Sequence, residues 1–225
     1  MEGVHRLIPA LPLLIAVGLV PVLQATAPDP DDSIRQFLAR DAAAPAYRAV
    51  RRLEVVNGTR SGWLEAVTEY APNTGFRYDV SAEGGNAYIR EKVLRGVLDG
   101  EKEVIARGEA TRSSLVGDNY TFQAKGIGDD GLVTVMVSPR RQERTLVSGH
   151  MFLAPGGRLV RLQGQLAKSP SFWIRSVAIV RTYDRIAGRV MPVAMESQAQ
   201  MRMFGRATLH MTYQYSHING RPVYP

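Results

Sequence analysis

Cysteine is absent from all 225 residues. That one absence excludes disulfides, thiolate metal sites, a cysteine nucleophile and an acylated lipoprotein N-terminus. Charge clusters are missing as well. The formal net charge is +7, yet no basic run is longer than the pairs Arg51-Arg52 and Arg140-Arg141, and Arg144 stands alone. Aromatic residues are not interleaved with those pairs, as a stacking platform for single-stranded nucleic acid requires. Nucleic acid is therefore not an expected partner. The basic excess reads as a solvated face, compatible with peripheral contact at an anionic membrane surface. Histidine is scarce: beyond His5 there are only His150, His210 and His217. None forms an i, i+4 pair on a helix or joins a carboxylate cluster, so no metal site is expected. No G-x-S-x-G elbow occurs. No catalytic residue is assigned, no cofactor is expected, and the chain is read as a non-enzyme.

Long apolar stretches are lacking too, apart from Leu7 to Leu23. His5 and Arg6 precede that stretch and Gln24-Ala25-Thr26-Ala27 follows it, the pattern of a secretory leader. It carries Pro9, Pro12 and Pro21 and falls short of the ~20 residues a membrane span needs. Pro28 hinders cleavage directly after Ala27, so processing after Ala25 is expected. Residues 1–25 are then a signal peptide, and 26–225 form one domain. Roughly 200 residues suffice for a core that stands without disulfides.

What the chain does contain is alternation. Asp29 to Ser33 is a polar lead-in ending in a helix cap, and Ile34, Phe37 and Leu38 give the stripe of a short helix closing near Asp41. Strands are expected over 47–56, 63–70 and 76–82, with Asn57-Gly58 as the first hairpin turn. Gly84-Gly85-Asn86 opens one long helix with Ile89, Val93, Leu94, Val97 and Leu98 on its apolar face. Gly96 weakens that helix, and Gly100 is expected to end it. Seven further strands are expected over 120–125, 132–138, 146–153, 159–166, 177–183, 189–203 and 206–216. Gly126-Ile127-Gly128-Asp129-Asp130-Gly131 spells a dinucleotide fingerprint, but a strand rather than a helix follows it, so its glycines are turn residues.

Methionine is concentrated late: five of the seven beyond the initiator fall in residues 191–211. At a period of two, Met191, Val193, Met195, Met201 and Met203 share one face, and Leu209, Met211 and Tyr213 share one on the next strand. Either this is a core sheet that uses Met, or it is a pliable apolar wall suited to varied chains. Phe172 and Trp173 beside Pro170 either pin a sheet corner or rim an apolar mouth, and the structural role is favoured.

About ten antiparallel strands with two helical elements make a single curved antiparallel sheet, a half-barrel covered by helices on its concave face (mainly β, α+β class). Several segments then resemble one known group. They are Asn119-Tyr120-Thr121-Phe122, the strand from Leu146 to Leu153, the run from Gly164 to Trp173, Tyr183-Asp184 followed by Pro192, and Phe204-Gly205-Arg206 followed by Tyr213-Gln214-Tyr215. Together they resemble outer-membrane lipoprotein-sorting-like proteins of the LolA/LolB/RseB-like superfamily. The resemblance covers nearly the whole domain and is firmest from Asn119 to Tyr215. It implies an incomplete barrel whose concave apolar face accepts acyl chains, in the periplasm of a diderm bacterium. The carrier of that group governs its helical lid with an inward arginine, and no arginine here sits in a motif that matches it.

Two functions follow as expectations. In the first, a monomeric periplasmic carrier holds lipoprotein acyl chains or lipid against Met191, Val193, Met195, Met201, Met203, Leu209, Met211 and Tyr213. The helix carrying Ile89, Val93, Leu94 and Val97 acts as its lid. In the second, an RseB-like module binds a transient envelope protein partner, with its concave face permanently filled.

Overall fold

The computed structural model describes residues 29–203 and 205–224; the expected leader lies outside them. All ten expected strands form. They are β1 (Tyr47–Asn57), β2 (Arg60–Ala71), β3 (Gly75–Gly85), β4 (Tyr120–Ile127), β5 (Val133–Pro139), β6 (Val147–Ala154), β7 (Arg158–Leu166), β8 (Ile174–Ile186), β9 (Arg189–Met201) and β10 (Gly205–Ile218). A short β11 (Arg221–Pro222), not expected, pairs with the end of β10. All belong to one antiparallel, half-barrel-like sheet in the order β3-β2-β1-β10-β9-β8-β7-β6-β5-β4. Two meanders are thus joined where β1 pairs with β10, Leu53 opposite Met211. The chain between β3 and β4 must pass from one edge of the sheet to the other, and that passage contains the main helix.

Helix α1 (Pro30–Ala39) starts earlier than its apolar stripe suggests. Asp29 is the cap, its carboxylate accepting from Asp31 N–H at 3.0 Å, and Pro30 supplies the first helical residue. Proline suits that position because its missing N–H would have no helical partner there. Ser33, expected near the cap, is buried inside the helix. The long helix opens with a π-helical turn (Ile89–Leu94) that continues into α2 (Arg95–Ala106). Asn86 holds its start, its side-chain oxygen accepting from Ile89 N–H at 3.2 Å. The wider π turn places Ile89 and Leu94, five residues apart, side by side in the core. Gly100 does not end the helix. Gly96 and Gly100 both face open space, and each costs only about 1 kcal/mol against alanine. Burial of Leu98 and anchorage of Glu101 just beyond it outweigh that cost.

The inner face holds two apolar clusters, one under each helix. Phe37 of α1 packs among Val133, Val135, Val137, Met151 and Leu153. Ile89, Leu94 and Leu98 pack on Leu53, Val55, Leu64 and Met211. Each fully buried side chain of this size contributes roughly 1.5–3 kcal/mol. Polar links reinforce the second cluster: Tyr78 donates to Asp99 at 2.7 Å, Arg95 pairs with Glu83 at 2.7 Å, and Arg90 also pairs with Glu83. Burial and the Asp99 carboxylate push the Tyr78 phenol up to about 12. The 126–131 glycine segment ends β4 and turns into β5, as its context requires. Among the described residues, no helix is long and apolar enough to cross a membrane.

Candidate functional site

Between the two clusters the inner face changes character. β1, β8 and β10 present Tyr47, Arg51, Arg181, Tyr183, Tyr213 and Tyr215 there, and two adjoining cavities flank this polar seam. The first, about 530 Å³, lies beneath the end of α1 and has Leu115, Val147, Leu159, Leu162, Leu166 and Ile179 in its wall. The second, about 490 Å³, lies beneath α2 and meets Val97, Val104 and Ile105. Ala44, Ser113, Arg181 and Pro192 border both. Their volumes fall in the range of small-ligand sites.

Four of the eight residues expected to meet ligand come together at the second cavity: Met191, Met195, Met211 and Tyr213. Register explains it, since Met195 faces Met211 across β9–β10 and Met211 faces Leu53 across β1. Leu209 packs instead into the cluster under α2. The other three are placed elsewhere. Val193 is the extra residue of a bulge, because Thr182 pairs with Ala194 and Tyr183 with Pro192, leaving Val193 unmatched. The bulge removes Val193 from the cavity wall, although Met191 and Met195 on either side of it both line that wall. Met201 pairs with Ile174 and Gly205 and borders neither cavity. Met203 lies in the turn after β9, 71% exposed. Of the helix residues, Ile89 and Leu94 are buried, Val93 and Val97 pack on the same cluster, and Val97 reaches the second cavity.

Phe172 and Trp173 contact each other edge to face, ring centroids 5.5 Å apart, but both remain exposed. The corner is pinned by Arg202 instead. Its backbone N–H donates to the Trp173 carbonyl at 2.9 Å, and its Nε donates to the Phe172 carbonyl at 2.8 Å.

Two inward arginines are the residues that sequence motifs did not supply. Arg51 is 2% exposed. It donates to both Glu101 oxygens, Nη1 to Oε2 at 2.5 Å and Nη2 to Oε1 at 3.0 Å, and also to the Tyr47 hydroxyl. The Phe76 and Tyr213 rings lie 5.0 and 4.8 Å from the guanidinium carbon. Burial alone lowers an arginine pKa. Here hydrogen bonding and attraction to Glu101 together raise it, so the guanidinium stays charged. The pair fastens α2 to the sheet in the wall of the second cavity. A signal for it existed: Arg51 falls in phase with the buried Ala49, Leu53 and Val55. Arg181 is likewise in phase with Val177, Ile179 and Tyr183, and the Tyr183 oxygen pushes its pKa up against burial. Arg40, at the end of α1, borders the first cavity with its guanidinium 3.4 Å from the Phe37 ring centre. Desolvation pulls its pKa down to about 10.

Among the described residues, no group of three or more His, Asp or Glu side chains is placed to hold a metal ion.

No protein-family model matches the chain, and neither does any curated protein. Among solved structures, the chain is similar to a LolA superfamily protein from Nitrosomonas europaea at 9% identity and a TM-score of 0.47, covering 87% of this chain and 94% of that one. It is also similar to a DUF1329 family protein from Desulfovibrio piger, with 9% identity, a TM-score of 0.33, and 82% and 89% covered. A third similarity is to the MucA/MucB complex of Pseudomonas aeruginosa, with 10% identity, a TM-score of 0.21, and 88% and 100% covered.

Proposed function

We propose that this protein is an exported, non-enzymatic binding or carrier protein for acylated or otherwise hydrophobic ligands. The observation that carries this reading is the second cavity, walled by Met191, Met195 and Met211 and closed by a helix that an ion pair fastens to β1. A ligand chain entering there leaves water at ~0.8 kcal/mol per methylene, so several methylenes offset the opening of the Arg51–Glu101 contact. Methionine side chains adapt to chains of differing shape. Release follows when α2 settles back and the ion pair re-forms.

A lid must belong to the less stable part of a structure, because its opening has to be thermally accessible. Residues 86–106 are expected to exchange amide hydrogens faster than strands β9 and β10, and to slow when lipid is bound. Hydrogen-exchange mass spectrometry of empty and lipid-loaded protein measures both. A helix as protected as the sheet and indifferent to lipid would favour a filled module that binds a protein partner.

Met195→Glu should abolish uptake of a fluorescent fatty acid while leaving the protein folded. Arg181 Nη2 lies 3.6 Å from the Met195 sulfur, so the new carboxylate meets a counter-ion rather than standing unpaired. Met201→Glu, away from both cavities, should bind the probe normally. Circular dichroism checks folding, and equal probe binding by the Met195 variant would remove this wall from the site.

A further inference from the structure

The two cavities differ in charge. In the wall of the second, Arg51 is matched by Glu101. The first is bordered by Arg40 and Arg181 and by no carboxylate. Arg181 Nη2 meets the thioether of Met195, a weak acceptor, and its buried Nε has no partner among the described residues. Arg40 Nη1 donates to the Phe37 carbonyl at 2.5 Å, which neutralises nothing. Tyr183 shares the wall of this cavity with both guanidiniums. A half-buried cation without a counter-charge is costly, and the cost falls when an anion with good hydrogen-bond geometry joins it. Around these cations the wall divides by chemistry. Ser113, Ser114 and Thr145 bring hydroxyls, whereas Leu159, Leu162 and Ile179 form an apolar floor.

We propose that Arg40 and Arg181 form an anion subsite that takes the carboxylate or phosphate head of a single amphiphile, whose chain lies on Leu159, Leu162 and Ile179. Arginine suits the task because its planar fork matches two oxygens of either head at once. The subsite gives a ligand polarity, with the head at the seam between the cavities and the chain along the apolar wall. The overall charge of +7 favours approach of an anionic ligand. This rests on the reading above that the cavities receive an apolar chain, and the test separates the two.

The probes are dodecanoate, dodecyl phosphate, dodecanol and inorganic phosphate, titrated by calorimetry into purified protein at a pH where the fatty acid is ionised. Both anionic amphiphiles should bind roughly ten- to a hundredfold tighter than dodecanol, the range charge-assisted hydrogen bonds command. Arg40→Met/Arg181→Met should bring all three to the dodecanol level without weakening dodecanol itself. Removing a half-buried charge that no carboxylate matches does not threaten the fold, which thermal melting verifies. Arg40→Met alone, at a helix end, should already reduce the preference. The ratio of dodecanoate to dodecyl phosphate identifies the preferred head. Equal affinity of wild type for dodecanoate and dodecanol overturns the subsite while leaving the carrier reading intact. Inorganic phosphate binding as tightly as dodecyl phosphate overturns the amphiphile and leaves a free-anion site. Failure of every chain-bearing probe to bind overturns the carrier reading and this proposal together.

Discussion

Replacing Glu101 with alanine is expected to lower the unfolding free energy by about 3 kcal/mol, the low end of what removing one partner of a buried ion pair costs. Arg51 is almost fully enclosed, and without Glu101 its guanidinium keeps only the Tyr47 hydroxyl and the neighbouring rings. The low end applies because the Glu101 side chain is 34% exposed, so solvent already screens part of the attraction. Arg51→Met/Glu101→Leu should recover most of the loss, since a well-packed apolar pair replaces two charges at little net cost. Urea unfolding of the single and double variants measures this. A Glu101→Ala protein within about 0.5 kcal/mol of wild type would place Arg51 in water and remove the latch from the mechanism. In the Glu101→Ala variant, residues 86–106 should also exchange faster, because the helix keeps its apolar face but loses its polar tie. The double variant should hold the helix closed and take up ligand less readily.

A larger effect is expected at Gly149. It sits opposite Gly164 in the β6–β7 ladder. There the strands approach so closely that a Cβ on Gly149 would stand 2.1 Å from the Gln163 carbonyl oxygen and 2.5 Å from Gly164 Cα. Both contacts are with backbone, which cannot swing aside as a side-chain tip can. Gly149→Ala must therefore part the strands in the middle of the cluster that holds Met151, Leu153 and Leu162. We expect a loss above about 4 kcal/mol, the exceptional class of single-substitution effects, with the variant recovered largely unfolded. Gly164→Ala should behave alike, because its Cβ would meet the Ser148 carbonyl oxygen at 2.2 Å. Gly96→Ala is the control. It faces open space within a helix, so it should stabilise by up to about 1 kcal/mol. A folded Gly149→Ala protein with a wild-type melting temperature would disprove the close approach.

Much of the architecture was legible in one dimension. The Asn57-Gly58 turn, the alternation of Ala49, Leu53 and Val55 with polar neighbours, and the triplet Val133, Val135 and Val137 mark strands wherever they are read. So does the stripe of Ile89, Val93, Leu94 and Leu98 for the helix. The site was only partly legible, because its geometry depends on register. Met195 reaches the cavity since Met211 lies opposite it, whereas the bulge removes Val193 from the cavity wall. Met203 extends the sequence pattern past the strand's end and into solvent. Arg51 was in phase with the core all along. No local motif marks it, because the residue that makes an inward arginine tolerable, Glu101, lies fifty positions away.

The sequence by itself thus determined the local structure: which segments are strands, which face of each is apolar, where the glycine turns fall, and that a cysteine-free fold must rest on a hydrophobic core. These are properties of neighbouring residues, set by backbone sterics and side-chain periodicity. Only the tertiary structure decided that β1 pairs with β10, that the helical passage therefore crosses the open face, and that Arg51 meets Glu101 while Arg40 and Arg181 meet no carboxylate among the described residues. Those outcomes depend on contacts between distant parts of the chain, where closing a long loop costs entropy that only the assembled core repays. The polar seam between the two apolar clusters exists in no segment of the sequence, and it is where the proposed binding chemistry lies.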